Sequence, residues 1–94
     1  MQIDVISDTV CPWCYIGKRR LERAIRLRPQ IEFQVRWRPF QLDPTTPPEG
    51  VDRKTYIERK FGSSDKIKPI HAALLKAGDD EGINFAFEKI ARTP

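Results

Sequence analysis

Thiols, imidazoles and thioethers are scarce in this chain, whose 94 residues carry two cysteines, one histidine and one methionine. Two cysteines cannot build a disulfide framework. A structural zinc site takes four protein ligands, and one cysteine pair with a distant His71 does not supply them, so no metal is expected. Long apolar runs are also missing. Nothing approaches the ~18 consecutive apolar residues of a membrane-spanning helix. The opening segment MQIDVISD has neither the basic stretch nor the apolar run of roughly 7–15 residues of a secretory signal. The expectation is a cytoplasmic chain with no membrane partner. Internal repeats and low-complexity tracts are absent too.

What remains is an ordinary globular composition, 39% hydrophobic and 32% charged, with a formal net charge of +4. Such a length makes one small domain that buries about 60–65% of the surface its unfolded chain exposes. The core is therefore modest. The mild basicity is weak evidence for a nucleic-acid partner, and none is expected.

Residues 2 to 7, QIDVIS, set Ile3 and Val5 against Asp4 and Ile6 and read as a strand. The segment DTVCP breaks it. From Pro12 the spacing turns helical, with Cys14, Gly17, Leu21, Ala24 and Ile25 near one stripe, and Pro29 stops it. The clearest strand follows in IEFQVRWRPF, where Ile31, Phe33, Val35 and Trp37 alternate with Glu32, Gln34, Arg36 and Arg38. Strand, helix, strand is the grammar of a parallel βαβ unit. The polar face of the second strand suits a sheet edge.

The prolines of RPFQLDPTTPPEGVD mark a loop. A helix capped by Asp52 should follow, with Tyr56, Ile57 and Phe61 as its apolar face and Gly62 as its end. A further helix is expected over residues 65–77, with Ile67, Ile70, Ala73, Leu74 and Ala77 on one face, Pro69 either kinking it or delaying its start, and Gly78 stopping it. In the tail, Ile83, Phe85 and Phe87 alternate and give the one candidate for a third strand, before a last turn. The first strand is thus left with an open side, an edge prone to pair with another chain. Either a partner completes the sheet or the gene product continues beyond Pro94.

Both cysteines lie in SDTVCPWCYIGKRRLERAI. Cys11 stands at the strand–helix junction with Pro12 in the first helical position, where a missing N–H costs nothing. That makes Cys11 the N-cap, and the unpaired N–H groups and positive end of the helix should favour its thiolate. Lys18, Arg19 and Arg20 add positive potential. Cys14 follows about one helical turn later, within reach of a disulfide. Cys11 is then the expected nucleophile and Cys14 the resolving thiol in dithiol–disulfide exchange. Pro12 and Trp13 are the expected substrate-facing residues between them. Two inert structural thiols are the plainer alternative, but a C-x-x-C that opens a βαβ helix is a strong redox signal.

On the segment DTVCPWCYIGKRRLERAI the chain resembles the DsbA-like thioredoxin-fold family, and most closely its FrnE-type branch of cytoplasmic proteins. The segments WRPFQLDPTTPPEG, YIERKFG and GINFAFEKIARTP extend that likeness over essentially the whole chain. The resemblance implies an α/β fold, a partial thioredoxin-like fold whose N-terminal βαβ covers residues 1–40. Residues 41–94 would then be a loop and the start of an α-helical insertion. Family members are about twice as long, and the second half of their sheet brings a cis-proline loop facing the cysteines. No equivalent of that half is present in this sequence.

The implied function is a thiol–disulfide oxidoreductase, of protein disulfide oxidoreductase or isomerase type, acting through Cys11 and Cys14 on protein or small-molecule thiols and disulfides without a cofactor. Related branches, the kappa-class glutathione transferases and the 2-hydroxychromene-2-carboxylate isomerases, typically carry Ser in place of Cys11 and use glutathione. A glutathione-dependent transferase or isomerase, with glutathione as co-substrate, is therefore the second reading. A non-catalytic half-domain that forms a homo-oligomer through its open sheet edge is the third. The basic residues Lys18, Arg19, Arg20, Arg23, Arg26 and Arg28 read as a solvated helix face, and His71 as a core or surface histidine. Tyr15, Trp37, Phe33, Phe85 and Phe87 read as packing residues.

Overall fold

Alternation in the first segment yields β1 (Gln2–Ser7), the helical spacing after it yields α1 (Pro12–Arg26), and the second alternation yields β2 (Gln34–Pro39). The structure, a computed structural model, describes residues 1–93. The chain forms two units, residues 1–42 and 43–94.

In the first unit β1 and β2 are parallel, in register from Gln2 opposite Gln34 to Ser7 opposite Pro39. Residues opposite one another share a face. Ile3, Val5 and Val35 are accordingly half-buried on one side, while Asp4 and Arg36 pair at 3.0 Å on the exposed other side. Backbone bonds continue the ladder at both ends, from Gln34 N to Met1 O and from Phe40 N to Ser7 O, each at 2.9 Å. Parallel neighbours require a crossover, and α1 supplies it. Its first turn takes Pro12 without losing a hydrogen bond, and its last turn carries Arg23 and Arg26, which complement the negative end of the helix dipole.

Three expectations for this unit need correction. The second strand begins at Gln34, because Ile31 N is used in a turn with Arg28 O at 3.1 Å. Ile16, off the expected stripe, is the most buried side chain at 1% exposure, whereas Gly17 and Ala24 are exposed. Trp37, expected in the core, is 46% exposed. Among the described residues β1 has no partner on its other edge.

The second unit contains a ladder that no alternation announced. Residues Val51–Asp52 (β3) pair antiparallel with Arg92–Thr93 (β4). Side chains hold it: Arg92 Nε donates to Glu49 O at 3.1 Å and Nη2 to Gly50 O at 2.9 Å, while Arg53 Nη1 donates to Thr93 Oγ1 at 3.1 Å. Between them, α2 (Arg53–Phe61) starts at Asp52, whose carboxylate accepts the Thr55 N–H at 3.1 Å, and it ends at Gly62.

The next helix, α3, spans Ile67–Asp80, with Ile67 and Leu74 buried. Ala73, expected on the inner face, is exposed. Pro69 sits in the first turn, where its N–H would have no intrahelical acceptor, and so does not interrupt the helix. Gly78 is not the stop. It lies buried inside α3 against the Phe85 ring, and a Cβ there would stand 2.7 Å from Phe85 Cε2. The helix closes four residues later through a Schellman motif, with Gly82 at φ 73°, Gly82 N bonded to Asp79 O at 3.1 Å and Ile83 N to Gly78 O at 2.8 Å. That motif takes the chain out of the extended path expected from Ile83 to Phe87. Phe87–Lys89 form one 3-10 turn instead. There the Phe87 ring stacks on Phe85 at 5.1 Å and on His71 at 4.1 Å. No helix among the described residues is long and apolar enough to cross a membrane.

His71 Nε2 is buried without a partner, and burial, helped by the nearby Arg53 charge, pushes the imidazole pKa down. A depressed base pKa means that the unfolded chain binds the proton more readily. Stability should therefore fall as pH drops below the ordinary histidine value of about 6.5, until the folded imidazole itself protonates. In His71→Phe, which keeps a ring for the stack, urea denaturation at a series of pH values should lose this part of the acid slope. Gly78→Ala should destabilise by about 1–3 kcal/mol through overpacking, despite the better helix propensity of alanine. A lowered urea midpoint checks it.

Candidate active site

The end of β1 builds the site. After Ser7, the Asp8 carboxylate accepts the Val10 N–H at 2.9 Å, an Asx turn that reverses the chain. Cys11 N then bonds Asp8 O at 3.3 Å, and Cys11, extended at φ −85° and ψ 118°, becomes the N-cap of α1 without a capping side-chain bond. The Asp8 side chain also accepts the Leu42 N–H at 2.8 Å, which fastens this loop to the segment after β2.

Cys11 and Cys14 are free thiols that hydrogen-bond one another. Their surroundings differ. The Cys14 sulfur accepts the backbone N–H of Asp8, the Ser7 hydroxyl and the Cys11 thiol, and the Asp8 N–H does most to pull its pKa down. Burial and the negative Asp8 carboxylate oppose that pull. Burial dominates at Cys11 and pushes its pKa up, and donating its proton to Cys14 adds to the rise. The N–H groups of Cys14 and Trp13 do face the Cys11 sulfur and favour its thiolate, but they do not outweigh burial. These surroundings favour the thiolate more at Cys14 than at Cys11. The upward direction at Cys11 runs against the lowered pKa expected there from the helix terminus and the cations Lys18, Arg19 and Arg20.

A cleft of about 540 Å³ opens beside the pair. Cys11, Cys14, Tyr15 and Lys18 contribute to its lining from the start of α1, and Trp37 and Arg38 from β2. Tyr15, 42% exposed, is a cleft residue rather than a packing one, and its hydroxyl accepts from Arg19 Nη2 at 3.1 Å. Trp37 likewise lines the cleft. Lys18 is salt-bridged to Glu22, and Arg38 lies 3.9 Å from Asp4. Pro12 is half-buried at the first helical position, and Trp13, 46% exposed, lies outside the lining residues while lending its N–H to Cys11. His71 belongs to the second unit.

Sequence reasoning brought Cys11 and Cys14 together and missed Ser7, Asp8 and Trp37. An Asx residue directly after a strand is a turn signal that could have drawn attention to Asp8. Among the described residues no three His, Cys, Asp or Glu side chains converge as a metal site.

The description of the DSBA-like thioredoxin domain matches residues 2–93. The chain belongs to that family. It is 41% identical over all 94 residues to the uncharacterized protein YwbO of Bacillus subtilis (strain 168), of which it covers 42%. It also superposes, at a TM-score of 0.79 and 30% identity, on the crystal structure of a probable DsbA oxidoreductase, SCO1869 of Streptomyces coelicolor, over 92% of this chain and 38% of that one. The chain thus spans about two-fifths of each relative's length. The family and the thioredoxin-like α/β fold inferred from CPWC and its flanks are borne out, and the family is one of thiol–disulfide oxidoreductases.

The shared proton of this site gives a signed expectation. Cys14→Ser removes the neighbouring thiolate and leaves a hydroxyl that can donate to Cys11, so the Cys11 pKa should fall. Cys11→Ala removes a donor from Cys14, so the Cys14 pKa should rise. Alkylation rates by iodoacetamide as a function of pH measure both.

Proposed function

We propose that this chain carries the redox-active dithiol of a FrnE-type thiol–disulfide oxidoreductase, cycling between free Cys11 and Cys14 and a disulfide between them. The observation that carries the reading is the pair of free thiols at the N-cap and first turn of the crossover helix, opening onto a cleft.

In the reductive direction the proton on Cys11 moves along the S–H···S hydrogen bond to the Cys14 thiolate. The resulting Cys11 thiolate is held by the N–H groups of Trp13 and Cys14. It attacks one sulfur of a substrate disulfide, forming a mixed disulfide and expelling the other sulfur as a thiolate. Cys14 then gives up its proton and attacks the Cys11 sulfur, which releases the second substrate thiolate. Two electrons pass from the pair to the substrate; the single proton carried by the pair ends on one product thiol, and the other sulfur leaves as a thiolate that takes its proton from water. Run backwards, the same steps oxidise a substrate dithiol. Cys11 is the attacking thiol and Cys14 the resolving one, with Pro12 and Trp13 flanking the exchange. The substrates are protein or small-molecule thiols and disulfides in the cytoplasm, with no cofactor beyond the pair and no nucleic-acid or membrane partner.

One observation favours a second reading, in which glutathione is the co-substrate of a transferase or isomerase. Lys18 and Arg38 bring two cations to the cleft that holds the thiols, suited to carboxylates such as those of glutathione. Variants separate the two. For the oxidoreductase, Cys11→Ser should reduce dithiol-dependent insulin reduction to background, and Cys14→Ser should abolish turnover while accumulating a mixed disulfide visible by intact mass. Retained turnover with glutathione in Cys14→Ser would favour the transferase reading and contradict the first.

A further inference from the structure

We propose that Asp8 is a positioning residue for the cysteine pair: by tying the loop before α1 to the segment after β2, its carboxylate holds the Asp8 N–H on the Cys14 sulfur. The proposal rests on the dithiol reading of this site and adds to it the group that fixes the loop beside the pair.

Asp8 uses both carboxylate oxygens, and differently. Oδ1 closes the local turn through Val10 N at 2.9 Å, and Oδ2 reaches across the sheet end to Leu42 N at 2.8 Å. A turn needs only the first of these bonds. Asp43 shows the local version, accepting from the N–H and hydroxyl of Thr45 two residues away. The bond to Leu42 spans 34 residues, and beside it Phe40 N bonds Ser7 O at 2.9 Å. Together they extend the β1–β2 pairing beyond the last strand residues and fasten the loop that leads to Cys11.

The choice of acid carries a cost that the geometry explains. A negative charge beside Cys14 opposes the Cys14 thiolate. Asparagine would avoid that repulsion but has a single acceptor oxygen, so it could keep only one of the two N–H bonds. An aspartate held by two N–H donors, Leu42 foremost, stays ionised well below neutrality and keeps both ties across the working range. The carboxylate touches neither sulfur through a hydrogen bond. Its effect on Cys14 runs through its own backbone N–H, aimed by the locked loop. Around the pair, Lys18 and Tyr15 from α1 and Arg38 from β2 are the other ionisable groups lining the cleft.

The test separates position from charge. Asp8→Glu keeps the charge but lengthens the side chain, so the paired bonds to Val10 and Leu42 cannot both form. Asp8→Asn loses the charge and keeps one acceptor. In the reduced chain, Cys14 titration is followed by iodoacetamide alkylation across pH, with the modified cysteine identified by peptide mass. The proposal expects Asp8→Glu to raise the Cys14 pKa by roughly one unit, Asp8→Asn to raise it less or lower it, and Asp43→Asn to leave it unchanged. An unaltered titration in Asp8→Glu overturns the proposal. If Asp8→Glu does not fold, Leu42→Pro, which deletes the N–H donor and leaves Asp8 intact, should give the same rise, and its absence is equally decisive. No redox substrate enters this measurement. Failure of the oxidoreductase reading would appear instead in turnover, with the titrations unaffected.

Discussion

The parallel pairing of β1 with β2 is the constraint from which the site follows. Parallel strands force the chain to cross over, so the crossover helix must begin where β1 ends. Only residues 8–11 lie between the end of β1 and the start of α1. Within that reach the Asx turn at Asp8 makes Cys11 the N-cap, and one helical turn returns Cys14 to the end of the strand it left. Cys14 then meets the Ser7 hydroxyl and the Asp8 N–H, while Cys11 lies at the first N–H groups of the helix. Two thiols three residues apart thus meet different donors at the strand–helix junction. That asymmetry gives the pair a direction for its proton.

The cleft shows how lightly held charge can serve such a pair. Lys18 and Glu22 form an i,i+4 bridge with side chains 46% and 39% exposed. Solvent screens an exposed bridge of this kind, so it holds Lys18 only weakly. Arg38, 3.9 Å from Asp4, is held no more firmly, because Asp4 is already engaged by Arg36 at 3.0 Å. Tyr15 and Trp37 supply aromatic surface between these cations.

What the residues alone disclosed was mostly local. Ile3 and Val5, the run Val35 to Arg38, the CPW turn, the Asp52 cap and Gly62 each act through neighbours a few positions away, and each landed where its chemistry indicated. The features that escaped depend on contacts between distant segments. Alternation at Trp37 reports the face on which the ring lies, not whether anything covers that face. Gly78 reads as a helix stop unless one knows that Phe85 needs the space its missing Cβ leaves. The short ladder between Val51–Asp52 and Arg92–Thr93 has no propensity behind it and is held by the Arg92 and Arg53 side chains. The proton position was hidden for the same reason. Helix-terminus electrostatics at Cys11 can be read from CPWC, but the Asp8 N–H on Cys14 and the burial of Cys11 cannot.

The proposed function rests on one physical claim, that Cys11 and Cys14 interconvert between dithiol and disulfide at accessible potentials. Equilibrating the chain in graded glutathione redox buffers, quenching with acid and measuring intact mass tests it directly. The account predicts a reversible loss of two hydrogens, mapped to a Cys11–Cys14 disulfide, with a midpoint between about −270 and −120 mV. Thiols that stay reduced across that range, or that end as two separate glutathione adducts, would contradict it.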